Sequence, residues 1–380
     1  MTRTENPYRP GFNEPPKELA GREAVLEDLT DAIEVAALDG RTPRPTLLVG
    51  ARGVGKTVLL AQAAALAGSR FGWPRAHLEM RPDTPFIGDL IEAIGRVSEL
   101  FEQPPSKRAL KAESVTLRAG VPGVGGEVRF ARGVDSAEDP APALRPALTR
   151  LIELALARES GFVLTLDEAH LASRRELSAL GALLQEGTGE RWPVVVVIAG
   201  LPLMRAPEHS VTYLERGAWH ELGLLSGEET VGALRLPAEE AGRPMNKDAA
   251  ILLAEASGGY PYAIQLYGHH AWRAANGHGR IDLAAAQAAL PRAQRELEGG
   301  LYAARWSAAS PAQKRYLTAV AAVTATATPT TGRAIAEQLG RTPKQLSSVR
   351  DDLIKAGTLT VEGDELRFTI PGMSAYVLAR

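Results

Sequence analysis

The 380-residue chain contains no cysteine. That excludes disulfide bridges, thiolate metal sites and cysteine nucleophiles, and it fits a reducing, cytoplasmic setting. No run reaches 18 apolar residues, so no membrane span is expected. Met1 to Pro16 lacks the apolar centre of a secretory signal. Its Pro, Asn and Arg content predicts an extended arm over residues 1–19. Net charge is also small, at −2 from 43 Lys and Arg against 45 Asp and Glu. Any contact with nucleic acid therefore needs a local basic patch. What is present is ordinary for a globular protein, with 45% hydrophobic and 23% charged residues, and the length suits two or three domains.

One stretch carries specific chemistry. Gly50-Ala51-Arg52-Gly53-Val54-Gly55-Lys56-Thr57 fits G-x-x-x-x-G-K-[ST]. The apolar run Thr46 to Val49 precedes it, and a helical pattern from Val58 to Ala67, closed by Gly68, follows. Strand, glycine-rich loop and helix is the context of a phosphate loop. Backbone N–H groups from Gly50 to Val58 are expected to converge on phosphate oxygens at a helix N-terminus. Lys56 is placed to reach the β- and γ-phosphates, and the Thr57 hydroxyl to ligate Mg²⁺. Downstream, the apolar run Phe162 to Leu166 ends in Asp167-Glu168. Such a strand delivers Asp167 to the Mg²⁺ shell and lets Glu168 orient an attacking water. The pair of motifs makes ATP/ADP and Mg²⁺ the expected cofactors and ATP hydrolysis the expected reaction. Asp167-Glu168-Ala169-His170 also spells a helicase box, but no Ser-Ala-Thr element or second domain with paired arginines accompanies it.

The remaining pattern predicts an α/β fold with a parallel sheet, a helical lid and a C-terminal winged helix-turn-helix. Strands are expected at 46–49, 75–80, 162–168, 192–202 and, at the edge, 217–222, within a nucleotide-binding core of residues 20–223. Residues 104–136 read as an insertion with a hairpin and a glycine-rich tip. From Pro104 to Gly133 six basic residues face two acidic ones, a local charge of +4. That hairpin reads either as a nucleic-acid or subunit contact or as a solvated loop. The lid, 224–304, opens with a Ser226/Glu229 capping box and continues with Asn246 as an N-cap, a Gly258-Gly259 stop, a helix from Pro261 and a cap at Asp282. His269-His270 are adjacent and point apart, so they read as packing or surface groups.

Residues 305–380 show three helices and a hairpin. The third helix is expected to enter a DNA major groove with Lys344, Gln345, Ser347, Ser348 and Arg350 exposed. Nine basic and six acidic residues from Ser310 to Arg380 leave +3, a weak footprint. The alternative is a module that docks protein.

Gly21-Arg22-Glu23, the phosphate loop, Asp167-Glu168, Gly200-Leu201-Pro202 and Gly259-Tyr260-Pro261 together resemble the AAA+ ATPases related to origin-recognition initiators, shading into signalling ATPases with a Gly-x-Pro lid motif. The resemblance covers about residues 15–375. It implies adenine near Arg22, nucleotide between core and lid with Pro261 beside it, and subunits or a partner meeting at the nucleotide. By position, Arg216 resembles an arginine finger, with Arg205 as the second choice. Initiator-type members carry a polar residue at the end of the fourth strand and often a lid arginine. Here those positions hold Ile198-Ala199-Gly200 and Tyr260-Pro261, so the resemblance implies a slow switch.

Overall fold

The computed structural model describes residues 5–11, 16, 19–82, 84–103, 141–206, 211–276, 278–326 and 328–380. The insertion expected at 104–136 lies outside the described residues.

The apolar runs form a five-stranded parallel sheet of β1 (Thr46–Gly50), β2 (Arg75–Glu79), β3 (Phe162–Asp167), β4 (Val194–Gly200) and β5 (Ala218–Leu222), in the order β2-β3-β4-β1-β5. β1, β3 and β4 are buried along their whole length. Helices cover both faces of such a sheet, which is why these strands read as continuous rather than alternating hydrophobics. The registers Val49↔Gly200 and Leu166↔Ile198 put the carboxyl ends of β1, β3 and β4 at one edge. In open α/β sheets, ligands sit beyond that edge.

The helices around the sheet are α1 (Glu23–Ala37), α2 (Lys56–Phe71), α3 (Ile87–Glu102), α4 (Ala141–Leu156), α5 (Arg174–Glu190) and the single turn α6 (Thr212–Glu215). α3 turns Leu90, Ile94, Val97 and Phe101 inward, the spacing of one helical face. α2 departs from expectation at both ends. It begins at Lys56, because the loop's Gly-Lys-Thr forms the first turn, and it runs through Gly68 to stop before Gly72. Gly72 takes φ 66°, and its N–H still reaches the Gly68 carbonyl at 3.0 Å. A helix-interior glycine costs only about 1 kcal/mol, which packing of α2 easily outweighs.

The chain divides into two compact units. One comprises Ala24–Val49 and Leu59–Glu221. The other joins Met1–Glu23, Gly50–Val58 and Leu222–Arg380, so the phosphate loop belongs with the lid. In this second unit lie α7 (Gly227–Glu240), α8 (Lys247–Ser257), α9 (Pro261–Ala274) and α10 (Leu283–Leu297). The Ser226/Glu229 box forms, and Asp282 accepts from the Ala285 N–H. Asn246 stands at the N-cap of α8 but makes no side-chain cap bond; its own N–H goes to Ile281.

A π-turn (Glu298–Tyr302) and α11 (Ala303–Ala308) lead to α12 (Pro311–Ala325), α13 (Gly332–Gln338) and α14 (Pro343–Lys355). An antiparallel hairpin of β6 (Leu359–Glu362) and β7 (Glu365–Phe368) follows, then α15 (Met373–Leu378). Lid and C-terminal helices share one hydrophobic core, from Leu234 and Leu253 through Tyr302 to Leu353 and Tyr376. The Tyr302 hydroxyl donates to the Pro371 carbonyl at 2.6 Å and its ring lies 5.5 Å from that of Tyr376.

The described residues of the arm pack against the lid. Tyr8 is 2% exposed and its hydroxyl donates to the Leu234 carbonyl. Its ring lies where a Cβ on Gly268 would be, so only glycine seats it. Asn6 and the Arg9 N–H bond to His269 and Gln265 on the same helix, α9. His270 turns away to Glu296 at 2.8 Å. Among the described residues no helix is long and apolar enough to cross a membrane.

Candidate active site

The loop between β1 and α2 has the backbone of an anion cradle. Gly53 and Gly55 take φ 80° and 97°, conformations that glycine alone adopts without strain. Gly50 is required for a different reason, since a Cβ there would strike the Leu222 carbonyl. Lys56 is only 5% exposed, and its Nζ donates to the carbonyls of Gly50 at 2.9 Å and Ala51 at 2.7 Å. An ammonium is costly to bury. Here the loop's own carbonyls hold it at the N-terminus of a helix, where anions are favoured. Thr57 and Val58 complete the first turn of α2, with Val54 buried beneath the loop.

Arg22 closes this loop from the side. Its Nη2 donates to the carbonyls of Gly223 at 2.7 Å and Val54 at 3.3 Å. Burial lowers its pKa, while Glu229 and Glu23 act against that shift. A guanidinium stays charged through such changes. Arg22 therefore ties the phosphate loop to the start of the lid, beyond the base contact that the resemblance implies. Pro261, half-buried, is the first residue of α9. The residue before it was not anticipated. Tyr260 is 2% exposed and its hydroxyl donates to the Arg52 carbonyl at 3.1 Å. The one signal in the sequence was an aromatic between Gly259 and Pro261.

In the sheet unit, β3 ends in Asp167, 3% exposed, whose Oδ1 accepts from the Glu168 N–H at 2.8 Å. Glu168 adopts φ 52° and ψ 33°, a left-handed conformation that is uncommon and mildly strained for a residue with a Cβ. That conformation turns the chain sharply into Ala169–Leu171 and leaves Glu168 half-buried, with Oε2 at 3.5 Å from His170 Nε2. Gly200 at the end of β4 has no room for a side chain, because a Cβ there would strike Met204 and press on the His170 N–H. Close packing of this turn explains why β4 ends without a polar group.

Asp167 offers a carboxylate in the sheet unit and Thr57 a hydroxyl in the other unit; each is a hard oxygen donor of the kind that Mg²⁺ takes. Among the described residues no cluster of three His, Asp or Glu forms a protein-only metal cage.

Arg216 is exposed and follows α6, at the amino end of β5. The Ala218 N–H bonds to the Pro45 carbonyl, so Arg216 lies by the start of β1, away from the carboxyl edge. Arg205 stacks over Trp219, 4.8 Å from the ring centroid. On α14, Lys344, Gln345 and Ser348 are exposed; Ser347 turns its hydroxyl back to the Lys344 carbonyl, and Arg350 pairs with Asp351.

Residues 18–197 match the family model of the AAA ATPase domain, and residues 299–377 match a domain of unknown function (DUF8462). No curated protein matches the chain. Among solved structures it is similar to the Walker-type ATPase PABY2304 of Pyrococcus abyssi, at 16% identity over 96% of this chain and 98% of that one, TM-score 0.60. It is similar to the Aeropyrum pernix ORC2 protein in ADPNP–ADP complexes, at 13% identity over 97% and 95%, TM-score 0.61. The Cdc6p structure from Pyrobaculum aerophilum aligns at 18% identity over 97% and 96%, TM-score 0.51. At such identities the likeness is one of fold.

Proposed function

Given the AAA ATPase domain of residues 18–197, we propose that the chain is a slowly hydrolysing ATP switch that engages DNA through a C-terminal winged helix. The observation that carries the nucleotide reading is Lys56, a buried ammonium held by the carbonyls of a loop whose glycines adopt positive φ. The similar Aeropyrum pernix protein binds ADPNP and ADP, which supports the same ligand class here. The loop amides and Lys56 would hold the phosphates, Thr57 and Asp167 would each offer an oxygen to Mg²⁺, and Glu168 would orient a water and take its proton. Mg²⁺, when bound, neutralises charge on the phosphoryl oxygens. Slow turnover follows from the purely apolar end of β4 and from a tyrosine where a lid arginine would stand. Calorimetry tests the premise: Lys56→Ala should bind ATP at least tenfold more weakly, as loss of a charge-assisted contact requires. Undiminished affinity would refute it.

In this reading, residues 305–380 form the winged helix and present α14 to duplex DNA, Lys344, Gln345 and Ser348 foremost. Binding should weaken with salt at a log–log slope of about −0.9 per phosphate neutralised. One observation favours a second reading. Arg350 pairs with Asp351, Arg333 with Glu337, and Arg367 of the hairpin with Glu362 and Glu365. Acidic neighbours on the very elements that would approach phosphates suit a surface that docks protein. A duplex-binding curve with no salt dependence, or no binding, decides for that reading. Self-association, with Arg216 facing a neighbour's nucleotide, completes the proposal.

A further inference from the structure

Tyr260 lies in a backbone that leaves it little freedom. Gly258 and Gly259 before it both have positive φ, 57° and 71°, and a Cβ on Gly259 would strike the Leu225 carbonyl. The Leu225 N–H bonds to the Gly259 carbonyl at 2.8 Å, and the Tyr260 carbonyl accepts from the Ile264 N–H in the first turn of α9. The side chain is thereby aimed from the lid onto the phosphate loop. Its ring and hydroxyl occupy the space that a Cβ on Gly53 would need, and the hydroxyl donates to the Arg52 carbonyl. Burial pushes the Tyr260 hydroxyl up to about 12, so it remains a donor across the working range of pH.

The consequence follows from the planarity of the peptide bond. The Arg52 carbonyl and the Gly53 N–H belong to one rigid trans unit and point in opposite directions. Fixing the carbonyl fixes the amide. Gly53, with φ 80° and no Cβ, would otherwise be free to turn.

We propose that Tyr260 is a positioning residue for phosphate binding, which pins the Arg52–Gly53 peptide so that its amide faces the phosphates of a nucleoside di- or triphosphate. This rests on the nucleotide reading above and adds the residue that preorganises its loop. It acts through the hydroxyl, not through stacking on a base.

The test is Tyr260→Phe in the full chain, which keeps the ring and removes only the hydroxyl. Two probes are titrated at fixed free Mg²⁺: ATP, and inorganic tripolyphosphate, which has no base or ribose. Both should bind about fivefold more weakly, the effect of one neutral hydrogen bond. Hydrogen exchange of the nucleotide-free protein should show faster exchange at the Gly53 amide, with helices α7 to α10 unchanged. Wild-type affinity for both probes overturns the proposal. So does a loss confined to ATP, which would mean contact with base or ribose, and so does unaltered exchange at Gly53. Lys56→Ala is measured in parallel. If it keeps full affinity for ATP, the nucleotide reading itself falls; if it loses affinity while Tyr260→Phe does not, only the role of Tyr260 falls.

Discussion

At the scale of single residues, one feature at the carboxyl end of β3 and one in the middle of β2 lead to separate predictions. Glu168 is held in a left-handed conformation beside His170. If it accepts the proton of an attacking water, Glu168→Gln should keep ATP affinity within about twofold and slow turnover by about 10²-fold or more, within the range for a general base. Single-turnover hydrolysis at the wild-type rate would rule out that role. On β2, His77 bonds through Nδ1 to the Thr165 hydroxyl at 2.9 Å, and burial together with Arg75 lowers its pKa to about 4, Asp167 acting against the shift. The unfolded chain protonates this imidazole near 6.5. Between those values the unfolded state binds more protons, so stability rises with pH there and falls on acidification, with the loss complete below about pH 4. The loss amounts to ~3 kcal/mol at most. Urea midpoints measured from pH 7 to 4 should therefore flatten in His77→Gln; an unchanged acid slope would show that His77 does not set it.

At the scale of elements, the N-terminal segment belongs to the lid. Tyr8 fills a seat over Gly268 and its neighbours bond along α9. Emptying such a site costs about 3–5 kcal/mol for a large aromatic. Tyr8→Ala should lower the unfolding free energy by roughly that amount, whereas Tyr8→Phe, which loses only the bond to Leu234, should cost about 1 kcal/mol. A change below about 0.5 kcal/mol in Tyr8→Ala would show that Tyr8 does not anchor the segment. The C-terminal elements obey the same logic. Their core is continuous with that of α7 to α10, so cutting the chain at residue 300 would take Tyr302, Leu353 and Tyr376 out of that core and expose the lid residues packed against them. Point substitutions on α14, not truncation, are the sound probe of DNA contact.

At the scale of the whole molecule, the question is whether the site is complete in one chain. Arg216 stands at the amino end of β5, by the start of β1. Four residue steps along a strand are about 13 Å, so in the proposed reading an arginine beside the start of β1 would serve another copy's nucleotide. Such arginines contribute about 10³–10⁵ in rate in other nucleotidases. A surface cation would matter by about 0–1 kcal/mol. Arg216→Ala and Lys56→Ala, each inactive alone, should regain ATPase activity when mixed, because one supplies the loop and the other the arginine. Full activity of Arg216→Ala by itself, or a dead mixture in which mixed oligomers form, would end the trans role.

The phosphate loop, Asp167-Glu168, the succession of strands and helices and the caps at Ser226 and Asp282 were all legible along the chain, because each depends on neighbours a few residues apart. Phosphate cradles, caps and buried strands are local solutions to local requirements, and residue type plus spacing encodes them. The end of α2 shows where local reading fails: Gly68 looks like a stop, but packing carries the helix on to Phe71. What joins distant segments had no such code. Tyr8 over Gly268, Tyr260 over Gly53, Arg22 on Gly223 and the shared core of lid and C-terminal helices each bring together residues that only the folded backbone makes neighbours. Each depends on a missing Cβ, a carbonyl aimed the right way or a cavity of fitting shape, and these are properties of tertiary packing, not of sequence spacing.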